Sequence, residues 1–324
     1  MKTKWLGLCL VFFMTGAVIA SVASAAPAAS INKIVVFGDS LSDTGNLYEY
    51  MRHQLPMSPP YYEGRFTNGP VWIEHVLTHY FPSNPKLHLS NYAFGGSGVG
   101  SEGENDEDDI GDGAMLNLDA EVSSYLLAHD DKTDASSLYV VWMGSNNYLS
   151  LPEDLDDEVE FTLAGIRRSL DTLVQKGAKN IMVMGVPDLG KTPMALEFES
   201  TDDLTYLSHQ HNTKLKAEVE QLRALHPDVQ WVFFDVDVLL TDALTQPALY
   251  GFSNVTGTCY DALDYLPSSQ SVLNMASRIK PGVHPEDVCD TYLFFDPVHP
   301  SSRAHAYIAE RGIELLDKLG MQFG

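Results

Sequence analysis

Along the chain, short apolar stretches alternate with longer stretches of helical period. Apolar β-formers at 34–37 stop at Gly38, and comparable runs stand at 87–94, 137–143, 180–185 and 230–235. Each closes at a glycine or an aspartate and is too short for a helix, so the pattern predicts five strands. Between the third and fourth runs, residues 159–176 space their apolar positions three and four apart, as an amphipathic helix requires. Between the fourth and fifth, residues 202–225 carry Leu204, Leu207, Leu215, Val219 and Leu222 on one side. A last helix is predicted over about 301–319, with Ser301 or Ser302 as its cap. Near-continuous apolar strands separated by helices imply a parallel sheet covered on both faces. In such folds sites form where strands deliver their C-terminal ends, which places Ser40, the Gly95 region and Gly144 along one edge.

Neither an internal repeat nor a domain linker interrupts the 324 residues, so we read one α/β domain from 26 to 324 behind a leader. That leader, residues 1–25, opens with Lys2 and Lys4, runs apolar from Trp5 to about Ala20 and ends in Ala23-Ser24-Ala25. We read it as a cleaved signal peptide rather than a membrane anchor, because the apolar run is short for a span and ends in small residues. No later stretch reads as a transmembrane segment, so the mature chain is expected to be soluble and secreted, either periplasmic or extracellular.

Net charge is −24 and becomes −26 once Lys2 and Lys4 leave. That balance excludes electrostatic nucleic-acid binding and attraction to anionic lipid. Cleavage removes Cys9 and leaves Cys259 and Cys289. In an oxidising compartment these are expected to form a disulfide closing a loop of about 30 residues, worth roughly 3–4 kcal/mol; two buried thiols are the alternative. Acidic runs at 102–112 and 153–160 read as solvated loops rather than calcium sites, since Ile110 breaks the EF-hand pattern. Residues 251–295 read as a long irregular segment, and Asn254-Val255-Thr256 is a glycosylation sequon.

Four short segments could carry chemistry. A strand ending at Gly38 and presenting Ser40 beside Asp39 mounts a nucleophile on a sheet edge or simply caps a helix. Phe295-Asp296-Pro297-Val298-His299-Pro300 sets a carboxylate three positions before a histidine, between prolines that imply a fixed loop. There Asp296 would orient one ring nitrogen while the other serves a nucleophile. Met143-Gly144-Ser145-Asn146-Asn147 is an Asn-rich turn whose amide could donate to an oxyanion. Asn91-Tyr92-Ala93-Phe94-Gly95-Gly96 is a glycine turn that could bring a backbone N–H close to a substrate.

Together and in this order, the segments resemble the GDSL lipase/esterases of the SGNH hydrolase group. Residues 37–46 (FGDSLSDTGN) match the first block, 91–96 the second, 144–146 the third and 296–299 the last, while 64–72 (GRFTNGPVW) resembles a further segment of many members. The resemblance implies a flavodoxin-like three-layer α/β/α fold, with Ser40 as nucleophile, His299 as base and then acid, and Asp296 as its partner. It implies an oxyanion hole from the Ser40 and Gly96 N–H groups and the Asn146 side chain, with Gly95 as the alternative to Gly96. No metal or cofactor is implied. Asn147 departs from the family's usual aspartate.

Within the family, the leader, the extended first block and the cysteine-closed loop resemble bacterial secreted lysophospholipases A and glycerophospholipid–cholesterol acyltransferases. That implies a lipid acyl-ester substrate, possible acyl transfer, and a protease as activating partner at the Cys259–Cys289 loop. Tyr61, Tyr62, Phe66 and Trp72 are candidates for an acyl site. The alternatives are a short-chain or carbohydrate-ester esterase, and a non-catalytic exported binding protein on the same fold.

Overall fold

A computed structural model describes residues 30–100, 117–260 and 289–324. The leader at 1–25, the acidic run at 102–112 and most of the cysteine-closed loop lie outside the described residues.

The predicted strands form one parallel sheet: β1 (Lys33–Gly38), β2 (Leu89–Asn91), β3 (Ser137–Trp142), β4 (Asn180–Met184) and β5 (Gln230–Phe234). Their order is β2-β1-β3-β4-β5, the flavodoxin-like arrangement the resemblance implied. Gly38 pairs with Trp142 and Met184 with Phe234, so the strands finish along one edge.

Residue alternation sends successive side chains to opposite layers. Val35, Phe37, Tyr139, Val141, Ile181 and Val183 enter one core. That core packs under α3 (Leu118–Ala128), α5 (Leu155–Gln175) and α7 (Thr201–Leu225). Ile34, Val36, Val140, Trp142, Met182 and Phe234 enter the other. The second core is covered by α2 (Trp72–Tyr80), α8 (Val236–Thr245) and α9 (Ser302–Lys318). Each fully buried Val, Ile or Phe contributes about 1.5–3 kcal/mol, which makes both faces of the sheet necessary to the fold.

Several boundaries differ from the sequence expectation. The second strand is cut to three residues: 85–88 forms a 3-10 turn, Leu87 is exposed, and past Asn91 only the Tyr92 and Phe94 N–H groups still donate to β1, at the Val36 and Gly38 carbonyls. The acidic run at 153–160 is not a free loop but the start of α5. Asp154 caps it by accepting from the Asp156 and Asp157 N–H groups, both at 3.1 Å, and the following carboxylates lie at the positive end of the helix dipole. Ser301 is the cap of α9, its hydroxyl accepting from Ala304 N–H at 3.3 Å.

The segment read as irregular contains β6 (Asn254–Thr258), paired in parallel with β7 (Tyr292–Phe294). Cys259 and Cys289 are joined as a disulfide with their Cα atoms 5.2 Å apart. Among the described residues, no helix is long and apolar enough to cross a membrane.

Candidate active site

β1 runs so close to β3 that a Cβ on Gly38 would stand 2.7 Å from the Trp142 carbonyl oxygen. Glycine therefore ends the strand, and a tight turn follows. The Asp39 carbonyl accepts from the Ser42 and Asp43 N–H groups, and its side chain accepts from Leu41 N–H at 2.9 Å. Ser40 sits at the crest of this turn.

Across 259 positions of sequence, His299 Nε2 lies 2.9 Å from Ser40 Oγ. Its Nδ1 lies 2.6 Å from Asp296 Oδ2. The Asp-x-x-His spacing works because the loop folds back on itself. Phe295 N–H donates to the His299 carbonyl at 2.8 Å, and Asp296 Oδ1 accepts from the N–H groups of Val298 and His299. A carboxylate acceptor at Nδ1 draws the ring proton there and leaves Nε2 to accept from the serine hydroxyl.

Ser40, Asp296 and His299 are all buried. Burial alone would push the Asp296 carboxyl up. His299 beside it and the hydrogen bonds it accepts hold it below the usual carboxylate range.

A fourth residue completes the set. Tyr61 Oη donates to Asp296 Oδ2 at 2.5 Å, from 235 positions away. Burial, and then the neighbouring Asp296, push its hydroxyl well above 10, so it stays a donor. Tyr61 packs edge-on against Phe66 and Phe295, and the Phe66 ring lies 5.1 Å from that of His299. Removing a hydrogen bond to a charged group costs on the order of 1.5–3 kcal/mol. Tyr61→Phe is accordingly expected to lower kcat by about tenfold or more, measured on a soluble p-nitrophenyl ester; an unchanged kcat would make the contact incidental.

The GRFTNG segment braces the histidine loop from the other side. Thr67 Oγ1 donates to the Pro300 carbonyl at 2.8 Å, and Asn68 Oδ1 accepts from Ser302 N–H at 2.8 Å. Arg65 anchors the segment by a two-point pair with Glu74 on α2.

In the glycine turn after β2 the two glycines differ in their contacts. Gly95 N–H is taken by Asp43 Oδ2 at 2.8 Å, and a Cβ there would strike Leu47 at 2.9 Å. Gly96 has φ +84°, which favours glycine. The N–H groups of Gly96 and Ser40 have no acceptor among the described residues.

Asn146 is the second residue of α4 (Ser145–Leu149) and gives one side-chain N–H to the Ser97 carbonyl at 2.8 Å, while its second has no acceptor among the described residues. Gly144, at φ +125°, makes the turn before it, and a Cβ there would stand 2.8 Å from the buried His211 ring. Asn147 points elsewhere: it accepts from Val99 N–H at 3.1 Å and donates to Glu158 at 2.9 Å. An amide can do both, which an aspartate at this position cannot.

A serine, histidine and aspartate in hydrogen-bond sequence beside unengaged N–H donors is the constellation of acyl transfer. Residues 34–311 match the GDSL-like Lipase/Acylhydrolase family model. The chain belongs to that family. It is 32% identical to the phosphatidylcholine-sterol acyltransferase of Aeromonas hydrophila over 95% of each chain. It is 29% identical to the secreted effector protein SseJ of Salmonella typhimurium, over 85% of this chain and 61% of that protein. It is 28% identical to the thermolabile hemolysin of Vibrio parahaemolyticus, over 89% of this chain and 65% of that protein. As a GDSL-like acylhydrolase the chain is an ester hydrolase.

In this GDSL enzyme an apolar cleft opens onto Ser40 and His299. It runs between α8 and α9, walled by Leu239, Leu240, Ala243, Ala304, Tyr307 and Ile308. Tyr61, Tyr62, Phe66 and Trp72, expected as acyl-site aromatics, are absent from its lining. Tyr61 and Phe66 stand behind the histidine loop, Trp72 is buried with its indole N–H on Ser42 Oγ at 3.0 Å, and Tyr62 lies under the Arg65 guanidinium. Leu239, Leu240 and Ala243 belong to α8 and Ala304, Tyr307 and Ile308 to α9, helices whose inward faces read as ordinary core in the sequence.

Asp188, His209 and Asp237 bring potential metal-ligand atoms within 4.8 Å of one another. They are engaged locally, Asp188 with Gly190 N–H and the Thr205 hydroxyl, and Asp237 with Asp188 N–H.

Proposed function

We propose that this protein is an exported lipid acyl-ester hydrolase, a lysophospholipase A or phospholipase A, that works through an acyl-enzyme on Ser40. The cleft carries this reading: an apolar channel that ends at the Ser40 hydroxyl suits a fatty acyl chain and wastes its surface on an acetyl group. His299 Nε2 takes the Ser40 proton as Oγ attacks the acyl carbonyl carbon. The resulting oxyanion accepts from the N–H groups of Ser40 and Gly96 and the free N–H of Asn146. His299 then returns the proton to the departing alkoxide as the ester C–O bond breaks. Water repeats the cycle in reverse, and an alcohol in its place makes the enzyme an acyltransferase, the activity named for the Aeromonas relative.

Leader 1–25 carries the reading of export, and a net charge of −26 after its loss favours zwitterionic over anionic lipid. The loop closed by Cys259 and Cys289 is where a protease would act; if nicking it leaves lipolysis unchanged, that part of the reading fails.

The test is fatty-acid release from lysophosphatidylcholines of graded chain length beside p-nitrophenyl acetate and acetylated xylan. Long-chain substrates are expected to give the higher kcat/KM. Leu240→Trp, which fills the channel, is expected to lower long-chain kcat/KM by about tenfold, a clash of roughly 1.4 kcal/mol, while sparing the acetate ester. Turnover of acetylated xylan alone would favour a carbohydrate esterase instead, and turnover of nothing would favour a binding protein.

A further inference from the structure

Glu121 is a buried carboxyl that neither the triad nor the cleft uses. It projects from α3 into the far side of the site, is 6% exposed, and stands 83 positions after Gly38 in sequence. Its Oε2 accepts from Gly38 N–H at 2.8 Å, and its Oε1 lies 2.7 Å from Ser97 Oγ. These contacts reach the two backbone segments that carry the Ser40 and Gly96 N–H groups. Gly38 opens the turn that carries Ser40, and Ser97 directly follows Gly96. The carbonyl of the same Ser97 accepts the Asn146 side chain at 2.8 Å. One carboxyl group thus joins elements arriving from β1, β2 and β3.

We propose that Glu121 is the positioning residue of the oxyanion hole, a buried clamp that sets the spacing of the Ser40, Gly96 and Asn146 donors. The proposal rests on the oxyanion hole assigned above. Distances matter here because a donor stabilises an oxyanion only near 2.7–3.1 Å from it. Three donors on three separate loops need a common anchor to hold that spacing in ground state and transition state alike.

Burial raises the Glu121 carboxyl well above its ordinary range, and Asp39 and Asp43 nearby add to the effect. The carboxyl accepts from Gly38 N–H through one oxygen and meets the Ser97 hydroxyl through the other, so a single side chain fixes both backbone segments. A glutamine can reproduce both contacts, its carbonyl on Gly38 and its amide on Ser97 Oγ.

The experiment compares Glu121→Gln, Glu121→Ala and Ser97→Ala with the wild type on one soluble ester, with thermal midpoints recorded alongside. Glu121→Gln is expected to keep kcat within about threefold. Glu121→Ala is expected to lose kcat by about 10–100-fold with KM nearly unchanged, because the loss falls on the transition state. Ser97→Ala, which keeps the backbone carbonyl and removes only the hydroxyl, is expected to fall between the two.

Two results would overturn the clamp: Glu121→Gln as inactive as Glu121→Ala, or Glu121→Ala retaining kcat at a temperature where it is folded. Should Glu121→Ala not fold, the Gln and Ser97→Ala pair decides by the same criterion. If Asn146→Ala is silent while Glu121→Ala loses kcat, the oxyanion-hole assignment fails and the Glu121 effect belongs elsewhere.

Discussion

Ser40→Ala abolishes ester hydrolysis, with kcat expected to fall by roughly five to six orders of magnitude, the scale seen when a triad nucleophile is removed from another serine hydrolase. The expectation follows from a hydroxyl held 2.9 Å from His299 Nε2 at the mouth of the cleft. His299→Ala removes the base and should cost nearly as much, because an unassisted serine hydroxyl is a poor nucleophile at neutral pH. The decisive measurement is the double variant. Groups that act as one unit are not additive, so Ser40→Ala/His299→Ala should be no worse than about tenfold below either single variant. A double variant that fell by the product of the two losses would mean independent contributions, and wild-type rates in Ser40→Ala would end the acyl-enzyme mechanism. Circular dichroism of each variant guards against unfolding, since both side chains are buried.

Asn146→Ala carries the second largest effect, a loss of about 10²–10³ in kcat with little change in KM. Its side chain has two N–H donors, one committed to the Ser97 carbonyl and one without an acceptor among the described residues. The first fixes the amide, so the second needs no reorganisation when charge develops on the acyl oxygen. Asn146→Asp sharpens the result: it keeps the shape, removes both donors and adds negative charge, so it should be at least as inactive as the alanine. Steady-state kinetics on a soluble ester separate kcat from KM, and a change confined to KM would assign Asn146 to substrate binding.

The turns that hold Ser40, Gly96, Asn146 and His299 were legible before folding, although their roles were implied by the family resemblance rather than by the turns themselves. Gly38, Gly96 and Gly144 mark places where the backbone needs close approach or positive φ, and such residues can be read locally. Asp296 and His299 are three apart, and the loop that joins them is closed by its own backbone. Tyr61 and Glu121 gave no such signal. Tyr61 reads as one aromatic among several, and Glu121 as one acid in a markedly acidic chain. Their partners lie 235 and 83 positions away, and no local period encodes a contact of that range. The lining of the cleft at Ser40 was missed for a related reason. Aromatic content near the first motif suggested a lining, whereas the cleft is made where α8 and α9 leave a gap over one face of the sheet.

By itself, then, the sequence determined the parallel sheet and the edge on which Ser40 stands, since strand period, helix caps and glycine turns are properties of neighbouring residues, while the roles of Ser40, Asp296 and His299 were implied by the family resemblance. Only the tertiary structure decided that the Gly95 N–H is taken by Asp43 while that of Gly96 has no acceptor among the described residues, that Tyr61 donates to Asp296, and that the cleft runs between two distant helices. Those outcomes depend on which buried donor meets which acceptor once the strands have paired, and that is settled by packing rather than by local pattern.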